Sequence, residues 1–210
     1  MRDEETGTYW QQISGEAVSG PLKGQRLELV SADELTFKLW RTEQPAGTVL
    51  NNDTQFASKY AKKDWDVAMK KTPTVLSYAE GGRQARDLML GIEAFGASRA
   101  FPYEVVLKEK LIQDRVGPEP ILLVVGPDGA SVRAFRRKIP GVQQTPEFYR
   151  LTGDEGLFMD SIQGRKWNFK GCASSGACLE PVNMIKDYWF DWRHYHPDTT
   201  VLRADSVGER

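Results

Sequence analysis

The chain has 210 residues, with 28 lysines and arginines against 29 aspartates and glutamates and a formal net charge of -1. Hydrophobic residues make up 40% of it, and the 19 glycines bring the apolar share to about half, as in ordinary globular proteins. This length suits one large domain or two small ones, and a chain of this size needs no disulfides to fold. The balanced charge argues against electrostatic binding to nucleic acid. No apolar stretch approaches the roughly 20 residues of a membrane span, and no apolar signal-peptide region follows residues 1–5.

An internal repeat is the most informative pattern in the sequence. The spacing Asp-x-x-x-Gly-x-x-Trp occurs at Asp3, Gly7 and Trp10 and again at Asp160, Gly164 and Trp167. Further along, nine of the 26 residues in 25–50 are identical to those in 177–202 at a shift of 152 positions. We therefore expect two copies of one supersecondary unit, built as a hairpin, a short strand and a helix.

The first copy has signals for both a turn and a helix. An aspartate followed four residues later by glycine suits a turn, because aspartate bonds its own backbone and glycine accepts positive φ. Downstream, Ser31 and Glu34 have the spacing of a capping box, which predicts that a helix carrying Phe37 and Trp40 begins there.

In the second copy, Asn183 is the expected cap of a helix that places Ile185, Trp189 and Trp192 on one face. We expect the aromatic side chains of both copies in the core, with a ligand cage as the alternative.

The residues between the copies alternate apolar runs with turn signals. The predicted elements are a helix over 56–71, strands over 74–78 and 88–92, a short helix over 103–110, and a hairpin of 121–125 with 131–135. Pro102 suits the first turn of the short helix. The sequence thus predicts an α+β fold that is mostly β, with hairpins, a small sheet and a few short helices.

The two cysteines, Cys172 and Cys178, are separated by Ala-Ser-Ser-Gly-Ala. This is neither Cys-x-x-Cys nor a spacing typical of zinc ligands. The sequence leaves open a local disulfide, which requires a turn that brings the Cα atoms to about 5.5 Å, two buried thiols, or a catalytic pair.

The only histidines, His194 and His196, could supply two metal ligands, but a metal site needs three or four. The alternative places both at a helix C-terminus, where the helix dipole favours a protonated ring. The sequence therefore predicts no metal site, with these two residues as weak candidates, and it indicates no cofactor.

A basic cluster at 133–138 contains three arginines and a lysine. It suits either an anion site or a solvated sheet edge protected by charge. The adjacent carboxylates at 3–5 and at 154–155 lie in polar sequence, without the unequal surroundings that an acid–base pair needs. No catalytic residue is predicted.

The sequence resembles the prokaryotic domain-of-unknown-function family 3179. Its motif Asp-x-x-Thr-Gly-x-x-Trp-x-Gln occurs at 3–12, Gly-x-Ala-x-x-Gly-Pro-Leu-x-Gly at 15–24, an Arg-Ala-Phe-Pro element at 99–102, and the closing Trp, His-Pro-x-Thr and Val-Leu at 192, 196–199 and 201–202. The resemblance covers about residues 1–50 and 85–202.

Members of that family carry a Cys-Pro-x-Cys motif at the end of a strand, sometimes with selenocysteine, from which a redox role is suspected. The matching positions here are Gly126, Pro127 and Gly129, so both cysteine positions are glycine. Since thiol redox chemistry requires a thiolate, the resemblance implies a degenerate motif.

The resemblance also implies a domain organisation. Residues 1–55 correspond to the C-terminal half of a first copy, 56–73 to a helical linker, 74–202 to a complete but degenerate second copy, and 203–210 to a polar tail. An upstream selenocysteine codon read as a stop is one hypothesis for a start at Met1, and a fragmentary gene is another.

Two functions remain open from the sequence. The first is the non-catalytic part of an exported redox-type protein, whose reactive motif lies outside these residues. The second is a ligand- or partner-binding module that presents aromatic residues around Tyr9, Tyr188 or Tyr195. The partner is unknown, and the extracytoplasmic location follows only from the resemblance.

Overall fold

Short strands predominate in the computed structural model, which describes residues 1–28, 30–78, 80–153 and 155–203. The strands are β1 (Tyr9–Trp10), β2 (Ala17–Ser19), β3 (Leu88–Ala94), β4 (Ala97–Pro102), β5 (Leu111–Val116), β6 (Glu119–Val125), β7 (Val132–Arg136), β8 (Phe148–Arg150), β9 (Phe158–Asp160), β10 (Lys166–Trp167), β11 (Pro181–Val182), β12 (Ile185–Tyr188) and β13 (Thr200–Val201). The helices are α1 (Phe37–Glu43), α2 (Trp65–Lys71), α3 (Tyr103–Glu109) and α4 (Trp189–Tyr195), with a 3₁₀-helix at Thr54–Lys59. The predicted α+β class, mostly β, is confirmed. The predicted tail, beyond residue 203, and Asp154 lie outside the described residues.

The strands form four sheets. Two have four strands, in the orders β12-β3-β4-β13 and β11-β7-β6-β5, one has the order β10-β9-β8, and one joins β1 to β2. The pairing of β13 with β4 is parallel, whereas the other pairs of named strands are antiparallel. The C-terminal strands β12 and β13 therefore flank the hairpin of β3 and β4.

Strand β6 is buried on both faces. Ile121 and Leu123 belong to a core cluster shared with β3, β4 and α3. Leu122 and Val124, which point the other way, belong to a second cluster with Leu39 of α1 and residues of β8 to β10. Because side chains alternate along a strand, a continuous apolar run is needed where both faces are covered.

Several predicted elements are confirmed. Strands β6 and β7 form the expected hairpin, β3 covers the expected 88–92, and α3 begins directly after Pro102. Each α-helix has seven residues. In the described part of the chain, no helix has the length and apolar character needed to cross a membrane.

The predictions for 56–71 and 74–78 were partly wrong. The first region divides into the 3₁₀-helix and α2, and neither buries a residue, so the expected apolar face has no surface to pack on. Residues 74–78 form no strand. The places beside β3 and β4 are taken by β12 and β13, so residues 74–78 pair with neither of these two strands.

Both predicted helix starts were wrong. Helix α1 begins at Phe37 with Thr36 as its N-cap, because Thr36 accepts the backbone N–H of Leu39. Helix α4 begins at Trp189, and Ile185 lies in β12, where the edge of β3 provides backbone partners. The long-range pairing thus overrides the helical spacing.

Trp189 and Trp192 share the buried face of α4 and pack with Met89 and Ala100. The Trp192 ring lies directly on Gly91 of β3, where an added Cβ would come within 2.3 Å of it. Glycine is therefore required beneath this tryptophan.

We expect Trp192→Ala to lower the free energy of unfolding by about 3–5 kcal/mol, because a large aromatic side chain leaves a cavity in the core. Urea unfolding followed by circular dichroism measures the loss. Trp40→Ala is the matched control, with a smaller loss, since Trp40 is only half-buried. A loss below about 1 kcal/mol for Trp192→Ala would contradict the packing that we describe.

Candidate functional site

The hairpin of β9 and β10 is organised by Asp160. Its carboxylate accepts the backbone N–H groups of Ile162, Gln163 and Arg165, and the Trp167 indole N–H at 2.9 Å. Asp160 is 1% exposed. Burial alone would raise its pKa, but the backbone N–H of Gln163 and the Trp167 indole, with further donors, hold that pKa below its usual value.

The N-terminal hairpin contains the same carboxylate–indole bond. Asp3 accepts the Trp10 indole N–H at 2.8 Å and the backbone N–H groups of Thr6 and Gly7. The Trp10 bond and then the Thr6 N–H lower the pKa of Asp3 to about 2. Gly7 has φ +71°, a conformation that glycine adopts without strain. The polar groups of this motif are used within each hairpin, which assigns them a structural role.

The turn between β6 and β7 contains Gly126, Pro127 and Gly129, which the sequence resemblance compares with a Cys-Pro-x-Cys motif. The backbone N–H of Gly129 donates to Gly126, and Gly129 has φ +70°. Asp128 accepts the hydroxyl groups of Ser131 at 2.5 Å and Thr36 at 2.6 Å. Burial opposes ionisation, but the Ser131 and Thr36 hydroxyls, with backbone N–H groups, lower the pKa of Asp128 to about 2. The ionised carboxylate thus fastens this turn to the N-terminus of α1.

Cys172 and Cys178 form a disulfide across a short loop. Cys172 is half-buried and Cys178 is exposed. Their sulfur atoms lie 3.9 Å from the carbonyl oxygen of Lys170 and 3.8 Å from that of Gly176, respectively. A carbonyl oxygen does not stabilise a thiolate, whereas a nearby cation does.

The two histidines make separate contacts near the end of α4. Nδ1 of His194 lies 3.0 Å from the Tyr78 hydroxyl. His196 is the C-cap residue, stacks on Trp192 at 3.7 Å and lies 3.3 Å from Glu93. Among the described residues, no group of three histidine, cysteine, aspartate or glutamate side chains could hold a metal ion.

The three arginines of the basic cluster at 133–138 are paired with carboxylates. The ion pairs are Arg133 with Asp33 and Glu43, Arg136 with Glu119 and Glu180, and Arg137 with Glu147. Strand β7 lies between β6 and β11, so the prediction of a solvated sheet edge was wrong. The partners of Arg133 lie 90 and 100 residues earlier in the sequence, so local sequence reasoning does not bring them together.

Two cavities lie where residues 26–28 and 30–34 meet the sheets. One, of about 330 Å³, is lined by the paired Asp33 and Arg133 together with Tyr103. The other, of about 530 Å³, is lined by apolar residues such as Leu27 and by Trp192. Sequence reasoning missed both, because each is lined by segments that are distant in the sequence, such as those of Asp33 and Arg133.

Asp187 of β12 was also missed. Burial raises the pKa of Asp187 to about 6, and the nearby Asp191 carboxylate adds to the rise. The Tyr188 backbone N–H, which donates to Asp187 at 2.7 Å, only partly opposes this. The sequence contains no signal for it, because this segment was predicted as a helix and the pairing of Asp187 with buried Met89 is seen only in the structure.

We expect Asp160→Asn to lower the free energy of unfolding by about 2–3 kcal/mol at pH 7, because several donors lose a charged acceptor. Asp3→Asn should cause a smaller loss, since its hairpin is more exposed. Chemical unfolding of both variants tests this, and equal small losses would show that the buried bond is not important for stability.

For Asp187 the folded-state pKa lies above the unfolded value, so the folded protein binds this proton more tightly. The associated stability is present below about pH 4 and is lost as the pH rises through about 6. We therefore expect Asp187→Asn to be more stable than the parent chain at pH 7, with the difference shrinking towards pH 4. Unfolding titrations at several pH values measure this, and a difference independent of pH would contradict it.

Comparison with known proteins gives one match. The family described as "Protein of unknown function (DUF3179)" matches residues 1–199. No significant match to a curated protein or to a solved structure is found. Since the match extends over nearly all of the 210 residues, the chain belongs to the DUF3179 family.

Proposed function

We propose that the chain is the non-catalytic part of an exported DUF3179 protein of the thiol or selenol redox type, whose reactive motif lies outside these 210 residues. One observation carries the proposal. The positions that match the family's Cys-Pro-x-Cys form the glycine-containing turn after β6, in which Gly126 and Gly129 replace the reactive pair.

The geometry of this turn favours glycine at both positions. A Cβ atom added at Gly126 would lie 3.0 Å from the Phe169 ring, closer than most side-chain contacts. Gly129 has φ +70°, where a cysteine would be strained. The one acidic group of the turn, Asp128, is ionised and engaged by hydroxyl and backbone donors. These features support a structural turn rather than a reactive one.

The remaining cysteines suit a structural disulfide. Cys172 and Cys178 close a short loop, and Ala173 and Leu179 beside them are buried in the second core cluster. The polar contacts of the two sulfur atoms are with backbone carbonyl oxygens. Reduction of the disulfide therefore gives thiols whose contacts in the structure include no cation. Such thiols react slowly at neutral pH.

The disulfide also supports the exported location. Disulfides persist in oxidising compartments and are rare in the reducing cytosol. Cys172 and Cys178 are the only cysteines of the chain and are bonded to each other. Their pairing therefore suits an oxidising compartment.

The alternative is a binding module that uses Tyr9, Tyr188 or Tyr195. Tyr188 is half-buried, with the guanidinium of Arg86 5.2 Å from its ring, and the ring of Tyr9 has Arg2 at 5.8 Å. Two of the three rings therefore already have a cationic neighbour, which makes this set of aromatic residues a less suitable ligand surface.

We expect the chain to show only background rates in insulin reduction and in thiol–disulfide exchange with glutathione. Cys172→Ser and Cys178→Ser should have the same background rates, because neither cysteine is activated. A commercial thioredoxin provides the positive control in the same assay. Enzymatic turnover by the parent chain that is lost in either serine variant would overturn the proposal and make this cysteine pair the active site.

A further inference from the structure

Helices α1 and α4 end in the same way, at positions 152 residues apart in the sequence. Gln44 caps α1 and donates its backbone N–H to Trp40, and His196 caps α4 and donates its N–H to Trp192. The cap residues have nearly equal dihedral angles, φ -129° and ψ 68° for Gln44 and φ -125° and ψ 69° for His196. The two helices can therefore be compared residue by residue.

The aromatic face of α4 is completely covered. Trp189 and Trp192 are 0% and 1% exposed, and the hairpin of β3 and β4 lies beneath them. Trp192 fits over Gly91 because glycine leaves space for its ring. The indole N–H of Trp192 also donates to the Thr199 hydroxyl at 3.0 Å.

The corresponding face of α1 lacks such a cover. Phe37, which corresponds to Trp189, is 59% exposed, and Trp40 is only half-buried. The two rings stack on each other at 5.6 Å, and Trp40 rests on Gly47 instead of on a strand. It is Leu39, on another side of the helix, that anchors α1 in the second core cluster.

The residues that follow the two helices also differ in burial and in strand pairing. Thr200 and Val201 form β13, which pairs in parallel with β4, and Leu202 is buried. The corresponding Val49 and Leu50 have the same residue types but are exposed, Leu50 to 98%. Residues 48–50 belong to no strand in the described part of the chain.

We propose that Phe37, Trp40, Val49 and Leu50 form a docking surface for a β-hairpin supplied by a partner polypeptide. This hairpin has the chemistry of β3 and β4: a glycine opposite Trp40, and a strand edge that pairs in parallel with residues 48–49. The covered face of α4 is the template, because it shows within the same chain what packs on this arrangement of side chains. The proposal is independent of the absence of redox activity.

A second copy of this chain is a less suitable occupant. Its own β3 and β4 are paired with β12 and β13 at their outer edges, and one face is covered by Trp189 and Trp192. The other face packs in the first core cluster. The hairpin of a second copy is therefore already covered on both edges and both faces.

The test uses the full chain and a backbone-cyclised peptide of residues 87–102, which contains β3 and β4. We expect saturable binding in isothermal titration calorimetry. A peptide with Gly91→Val should bind at least about tenfold more weakly, because a side chain fills the space needed by the Trp40 ring. On the protein, Leu50→Lys should weaken binding without affecting the fold, since Leu50 is almost fully exposed.

Phe37→Ser with Trp40→Ser is the second variant, and urea unfolding establishes that it is folded. Tyr149→Ser is the matched control, an exposed aromatic outside the docking surface, and should bind like the parent chain. Absence of binding by the parent chain, or equal binding by the Leu50→Lys variant, would overturn the proposal. A homodimer in sedimentation that Leu50→Lys dissociates would also overturn it, in favour of a second copy.

Discussion

The burial of β6 on both faces is the constraint on which the rest of the fold depends. Side chains from one face pack with the β3–β4 sheet, and those from the other pack with α1 and the hairpin of β9 and β10. Both core clusters therefore contain side chains of the same seven-residue strand. The turn that follows β6 lies at the end of this strand, so its position is fixed by the best-packed part of the molecule.

The sequence predicts the local features well, because their partners are close in the chain. The β6–β7 hairpin and the start of α3 after Pro102 follow from turn and capping rules. The failures involve distant partners. Ile185 has helical spacing but lies in β12, since the free edge of β3 binds its backbone, and Arg133 pairs with acidic residues that lie about 90 to 100 positions earlier.

The candidate site shows the same contrast between local features, which the sequence predicts, and long-range contacts, which it does not. The aspartate–tryptophan spacing identifies both hairpins, yet it does not reveal that the indole binds the carboxylate. The glycines of the turn after β6 are visible in the sequence, whereas the bond from Thr36 to Asp128, over 92 residues, is not. This bond makes the turn a point of attachment between the N-terminal segment and the sheets.

Charges also attach the N-terminal segment to the sheets. Asp33 and Glu43 bind Arg133, and Glu34 binds Lys186, so acidic groups on one side meet basic groups on the other. Salt screens the more exposed of these pairs but has little effect on the apolar packing around β6. High ionic strength therefore weakens this attachment selectively. Leu39 in the second core cluster and the bond from Thr36 to Asp128 still hold residues 31–43 to the sheets, so that salt loosens only the exposed acidic contacts at the surface of this segment.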